Sequence, residues 1–243
     1  MEEMFSRSSL IYGKEAIEVL HKSHVAIFGI GGVGGYVVES LARTGVGEFT
    51  LIDNDVISVS NINRQIIATS ENVGQYKVDE MKKRILSLNP NCKVNVYKTF
   101  VLDDTIESIN LSGVNYIVDA IDTVKGKLVI IKRANELNIP MISSMGAGNK
   151  VNSMGFIVAD INKTEVDPLA KVIRKELRAL GIKKLKVVYS KESPMKPTES
   201  LSSDGKREIP GSNAFVPSAC GLLIASEVVR DLTNEVAREE LKR

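Results

Sequence analysis

His24-Val25-Ala26-Ile27-Phe28-Gly29-Ile30-Gly31-Gly32-Val33-Gly34 is the stretch that decides the fold. It opens as a short apolar run, the pattern of a parallel strand buried on both faces. Glycines then close it and lead into a helix through Val37, Val38, Leu41 and Ala42. Glycines at a strand-to-helix turn let backbone approach phosphates, and free N–H groups at the helix start favour negative charge. The loop therefore reads as a nucleotide site, although a tight turn packing helix on strand has the same form.

Outward from this turn the first half alternates. Residues 48–53 read as a second strand, 77–88 as an amphipathic helix closed by Asn89-Pro90, and 94–97 as a strand. Residues 115–120 read as another strand, 124–136 as a helix, and 140–144 as a fifth strand. Such alternation predicts a Rossmann-like α/β fold, a mostly parallel sheet with helices on both faces.

After Gly148 the pattern changes. Residues 155–161 and 185–189 are strand-like, 168–180 form a basic helix, and 221–232 form an apolar helix that should dock on the core. Residues 191–213, rich in Ser, Pro, Lys and Gly, read as a mobile loop. With neither repeat nor linker, residues 1–243 are expected to form one domain. Residues 1–148 would be its nucleotide-binding part and 149–243 a C-terminal extension. The arm Met4-Phe5-Ser6-Arg7 at its start has too little sequence to form a structure alone.

Composition removes several kinds of chemistry. The 243 residues include two cysteines, Cys92 and Cys220, and two histidines, His21 and His24. Neither a disulfide framework nor a four-cysteine zinc site can be built, and Ser-His-Asp or Cys-His catalysis has little to draw on. Isolated cysteines are more often small core residues than nucleophiles. No apolar run reaches the roughly 20 residues that span a bilayer. The N-terminal MEEMFSRSSLIYG lacks the apolar core of a secretory signal, so the expected location is the cytoplasm. The net charge of +2 hides an asymmetry: residues 163–207 carry 12 Lys and Arg against 6 Asp and Glu. That segment is either a solvated face or a surface for nucleic-acid phosphates. Lys171, Arg174, Lys175 and Arg178 are spaced to share one helix face.

Asp53, at the end of the second strand, is placed to hold ribose hydroxyls, which suits an NAD dehydrogenase as well as an ATP enzyme. The residues that follow favour ATP. Asp53-Asn54-Asp55 leads to Asn61, Asn63, Arg64 and Gln65, then to Lys77 and Asp122. Hydride transfer has no evident need of an Asn-rich turn ending in Arg-Gln. Attack on an α-phosphate needs fixed cations and a carboxylate for magnesium.

GIGGVGG, DNDVISVSNINRQ, GQYK and DAIDTVKGK together resemble the ubiquitin-activating-enzyme-like superfamily, which includes the molybdopterin- and thiamine-pathway adenylyltransferases. The resemblance implies that ATP and Mg2+ are used. It implies a nucleotide site of Gly29, Gly31, Gly32, Gly34, Asp53, Asp55, Asn61, Asn63 and Gln65. Arg64, Lys77 and Asp122 would act on the phosphates, with Asp122 as magnesium ligand. Arg7 would reach the ATP of a partner subunit, which implies a homodimer.

The stretches SSMGAGNKVNSMGFIVADINKTEVDPLAKVIRKELRALGIKKLKVVYSKESP and GSNAFVPSACGLLIASEVVRDL look like the tRNA threonylcarbamoyladenosine dehydratase branch. That branch would cyclise the threonylcarbamoyl group beside the anticodon in an ATP-dependent dehydration, and a sulfur-relay protein would be a further partner to test. Sulfur-carrier adenylyltransferases, the alternative, usually carry two CxxC pairs, and this chain has none. Thioester-forming activators need a cysteine in the crossover region, and residues 148–213 contain none.

Overall fold

A computed structural model describes residues 3–198 and 209–240, with side chains described as far as residue 234. Seven strands form one sheet: β1 His24–Phe28, β2 Glu48–Ile52, β3 Lys93–Tyr97, β4 Tyr116–Asp119, β5 Met141–Ser144, β6 Phe156–Asp160 and β7 Lys186–Ser190. Their order is β3-β2-β1-β4-β5-β7-β6, all parallel except the β6 edge, which pairs antiparallel with β7. Strand order reverses between β1 and β4. Open α/β sheets bind ligands in the crevice beyond the carboxyl ends of their strands at such a point.

Successive residues of β1 feed opposite faces, as a pleated strand must. Val25 and Ile27 join a core with Val37 and Leu41 of α3 (Gly34–Thr44) and Met81 and Ile85 of α4 (Lys77–Leu88). Ala26 and Phe28 join a second core with Val129 and Ile130 of α5 (Val124–Glu136). α6 (Pro168–Ala179) adds Ile173 and Leu177 to a third cluster against Ile131 of α5 and Val187 of β7. The expected α/β architecture with helices on both faces is the observed one. The docking helix is longer than the sequence suggests: α7 runs Val216–Glu240, and its Val216, Cys220, Ile224 and Val228 enter the first core. Among the described residues no helix is long and apolar enough to cross a membrane.

Two expectations meet further detail. The N-terminal arm, too short by its sequence to hold structure alone, belongs to an ordered region. It leads into α1 (Ser6–Tyr12), followed by α2 (Lys14–Lys22). Burial of Phe5 accounts for this, since its ring packs edge-on to His21 at 4.9 Å between centroids. The expected mobile loop falls partly on residues 199–208, outside the described residues. On either side of them the chain is pinned. Asn149 N–H donates to Gly211 O at 2.8 Å, Gly211 N–H donates back to Asn149 Oδ1 at 2.6 Å, and Met195 N–H donates to Asn149 O at 2.7 Å.

Candidate active site

The glycines of the first turn have different reasons to be there. Gly29 sits at φ +90°, and a Cβ on it would lie 2.8 Å from Ala120 O. A Cβ on Gly34 would lie 1.8 Å from Gly29 O. These two close the turn and press it onto the end of β4. Gly31 is open, since a Cβ there would meet only Gln65 Nε2, at 3.8 Å. Gly32 faces the start of α7, where a Cβ on it would lie 3.2 Å from the Pro217 ring. No side chain caps the start of α3, which leaves that helix end available to an anion.

Asp53 braces this loop. Its Oδ2 accepts from Ile30 N–H at 2.7 Å and its Oδ1 from Asp55 N–H at 2.8 Å. Burial pushes the Asp53 carboxyl above the ordinary carboxylate range, against the opposing pull of Lys77 and of these two N–H groups. Lys77 is itself buried, and its Nζ lies 2.6 Å from Asp55 Oδ2. Two backbone links bring it there: Lys77 N–H donates to Asp55 O at 3.1 Å, and Val56 bridges Tyr76. The glycine loop, the acidic turn and the lysine are thus one assembly.

The Asn-rich turn is built largely for itself. Asn61 Oδ1 accepts from Ser58 N–H at 3.1 Å, and Asn63 Nδ2 donates to Ser212 O at 3.0 Å. Arg64 Nη1 donates to Ser60 O at 2.8 Å and to Asn63 Oδ1 at 3.0 Å. Partial burial lowers the Arg64 pKa, yet an arginine starting so high stays cationic. Gln65 is different. It is buried beside Gly31, and its Oε1 has no hydrogen-bond partner. A buried orphan acceptor is costly and marks a place for a missing donor. Asp122 is exposed, directly after the Ala120–Ile121 backbone on which Gly29 rests.

Residues the sequence reading missed lie just below. Lys127 Nζ, fully buried, donates to Asp119 Oδ2 at 3.0 Å and to Ser144 O at 2.7 Å. Ser143 Oγ donates to the same Asp119 oxygen at 2.5 Å. Beyond β5, Asp167 Oδ2 accepts from Gly146 N–H at 3.1 Å and pairs with buried Lys150 Nζ at 3.5 Å, while its Oδ1 caps α6 through Ala170 N–H at 2.9 Å. The signal was present: Lys127 falls on the apolar face of α5, three residues after Val124 and four before Ile131.

Thiol and imidazole chemistry find no place here. Both cysteines are buried, and burial pushes each thiol up to about 12. His24 opens β1, about 13 Å from its carboxyl end at the rise of a strand. Burial lowers its pKa despite the neighbouring Glu48, and its ring shares a 2.8 Å hydrogen bond with Thr50. One basic residue also changes role. Arg174 Nη1 is tied to Thr164 Oγ1 at 2.5 Å and Thr164 O at 2.9 Å, so it staples a turn rather than joining Lys171, Lys175 and Arg178 on an open face.

With this geometry in place, comparison with known proteins is direct. The ThiF family profile matches residues 5–243. The chain belongs to the ThiF family. This ThiF-family chain is 44% identical to the tRNA threonylcarbamoyladenosine dehydratase of Bacillus subtilis (strain 168), across 100% of this chain and 98% of that protein. It is similar to the crystal structure of Escherichia coli tRNA N6-threonylcarbamoyladenosine dehydratase in complex with ATP, with a TM-score of 0.89 and 33% identity over 97% of this chain and 96% of that one. A probable molybdopterin-synthase adenylyltransferase of Porphyra purpurea is 34% identical, but over only 51% of this chain and 32% of its own length. Likeness to the dehydratases thus includes the residues after Gly148, and likeness to this adenylyltransferase does not span the chain.

Proposed function

We propose that this protein is an ATP-dependent tRNA threonylcarbamoyladenosine dehydratase that works in the cytoplasm. The observation that carries this reading is full-length similarity to dehydratases from two bacteria. A site without usable thiol or imidazole supports it. ATP fits the crevice: Gly31 leaves space beside the backbone, Asp53 holds the loop, and Gln65 Oε1 lacks a donor. Magnesium would rest on Asp122 and the ATP phosphates, since this ion is commonly held by one or two carboxylates with phosphates. It would draw charge from the phosphoryl oxygens.

The substrate carboxylate, with a pKa near that of an α-carboxyl at about 3.5, is already ionised at neutral pH. It attacks the α-phosphate without a general base. A carboxylate–phosphorus bond forms, the α–β anhydride breaks, and pyrophosphate leaves as charge builds near Arg64 and Lys77. The neighbouring carbamoyl group then attacks the activated carbonyl, closes a five-membered ring and expels AMP. Ring closure is intramolecular, so orientation can supply up to about 7–11 kcal/mol, which explains how residues chosen for binding suffice. Arg7 stands with exposed Leu10 and Ile11 on one face of α1. We assign this face to a homodimer contact in which Arg7 reaches the partner's site.

The decisive assay supplies ATP, magnesium and threonylcarbamoylated tRNA, then measures the nucleoside by mass spectrometry. Loss of one water with AMP release is expected. An unchanged nucleoside from protein that binds ATP would refute the reading.

A further inference from the structure

Phe215 is 71% exposed, yet its backbone is fixed. Its N–H and that of Val216 both donate to Asn213 Oδ1 at 2.9 Å, and Asn213 Nδ2 donates to Lys150 O at 2.9 Å. Two residues later Pro217 lies against Gly32, and just upstream Ser212 O accepts from Asn63. The segment 211–217 therefore bridges the nucleotide loop and the loop after β5, and Phe215 stands on that bridge. Other large apolar side chains are exposed on segments tied to the same loops: Val151, Met154, Met195 and Ile209. Glu192 accepts from Val151 and Asn152 N–H, and Met195 N–H donates to Asn149 O. Singly exposed apolar residues need no explanation, but a group of them on a fixed rim marks a contact surface.

We propose that this rim receives an unstacked loop of single-stranded RNA, with the Phe215 ring as a stacking platform for one of its bases. The proposal rests on the function just assigned and adds where and how the RNA is held. Sequence-level RNA recognition works mainly on splayed loop bases that stack on aromatic rings. An enzyme acting on a group carried by a base draws that base out of its stack. Charge agrees: Lys191 and Lys196 lie exposed on the segment that carries Met195. RNA phosphates are attracted by such positive charge.

The chain contains no tryptophan, so Phe215→Trp creates a single fluorescent reporter at the platform itself. It is titrated with ATP, with a threonylcarbamoylated anticodon stem–loop, and with a fully paired RNA of equal length, while filter binding measures RNA affinity separately. Quenching by the stem–loop is expected, saturating at the filter-binding Kd, with little change on adding ATP or duplex. Phe215→Ala is expected to raise KM for the stem–loop within the range of about 5–150-fold that loss of one stacked base implies, with KM for ATP unchanged. Bound stem–loop without quenching, or an alanine variant with normal RNA KM, would overturn the platform. Quenching by ATP alone would overturn it too, giving the ring to the adenine of ATP. If wild-type protein neither binds the stem–loop nor dehydrates it, the function assigned above fails first, and the two failures are distinguished.

Discussion

Lys77 and Asp122, the two residues proposed to act at the ATP phosphates, are held in very different ways. Lys77 is buried and paired with Asp55 at 2.6 Å, so in the proposed role phosphates would draw it away from a carboxylate. Asp122 is exposed and has no side-chain partner among the described residues. Replacing either by alanine should cut AMP formation by about 10²–10³-fold, the usual cost of removing one preorganised charge-stabilising group. Stability should separate them. Asp122→Ala changes only a surface position and should stay within about 0.5 kcal/mol of wild type. Lys77→Ala opens a buried site and removes the partner of Asp55, so it should melt several degrees lower. Pyrophosphate release and thermal melts of both variants provide the check. An Asp122→Ala enzyme with near-normal turnover would remove that residue from the metal site.

At the scale of elements, α3 and α4 are clamped through one carboxylate. Glu39 on α3 accepts from Arg84 of α4 at 2.6 and 2.9 Å and from Arg43 one turn along at 2.7 Å. Burial alone would raise the Glu39 pKa, but the two guanidiniums outweigh it and hold the carboxyl below its ordinary value. A depressed folded pKa means stability that is present above the unfolded value, about 4.5, and lost as pH falls through the folded one. Charged hydrogen bonds to partly exposed arginines are worth about 1–2 kcal/mol after screening. Glu39→Gln should therefore lower Tm by about 2–8 °C at pH 7, and the gap should close as pH drops towards 3. A gap independent of pH would mean that packing, not charge, holds the two helices. Nothing in the helix pattern announces this clamp. Periodicity identifies α3 and α4, but Glu39 and Arg84 are 45 residues apart and meet only once both helices lie on the sheet.

Across the whole molecule, what was legible follows a physical division. Strands with continuous apolar runs, β1 and β4 above all, and the glycine turn between β1 and α3 are local patterns, so the α/β fold could be read directly. The partner of Lys127 could not: its place on the apolar face of α5 was visible, but Asp119 meets it only once the sheet is formed. The Lys150–Asp167 pair could not be read at all, because a lysine in a loop is normally solvated. The order of α1 was hidden for a related reason: it depends on Phe5 finding the side of α2. That ordered helix gives the dimer proposal its structural basis, since it holds Arg7 exposed beside Leu10 and Ile11 on a defined face. In the proposed dimer a self-complementary contact would cover these residues, and two-fold dimers are the commonest soluble assembly. An arginine supplied across that contact would be a cation that never titrates. Complementation tests it. Arg7→Ala and Asp122→Ala should each be nearly inactive alone. If Arg7 acts in trans, a mixed dimer has one site lacking both residues and one intact site. Full exchange of equal amounts makes about half of all dimers mixed, so about a quarter of all sites should recover under two-fold pairing. No recovery, with exchange proved by a tagged subunit, would confine Arg7 to its own chain and leave the exposed face of α1 to some other contact.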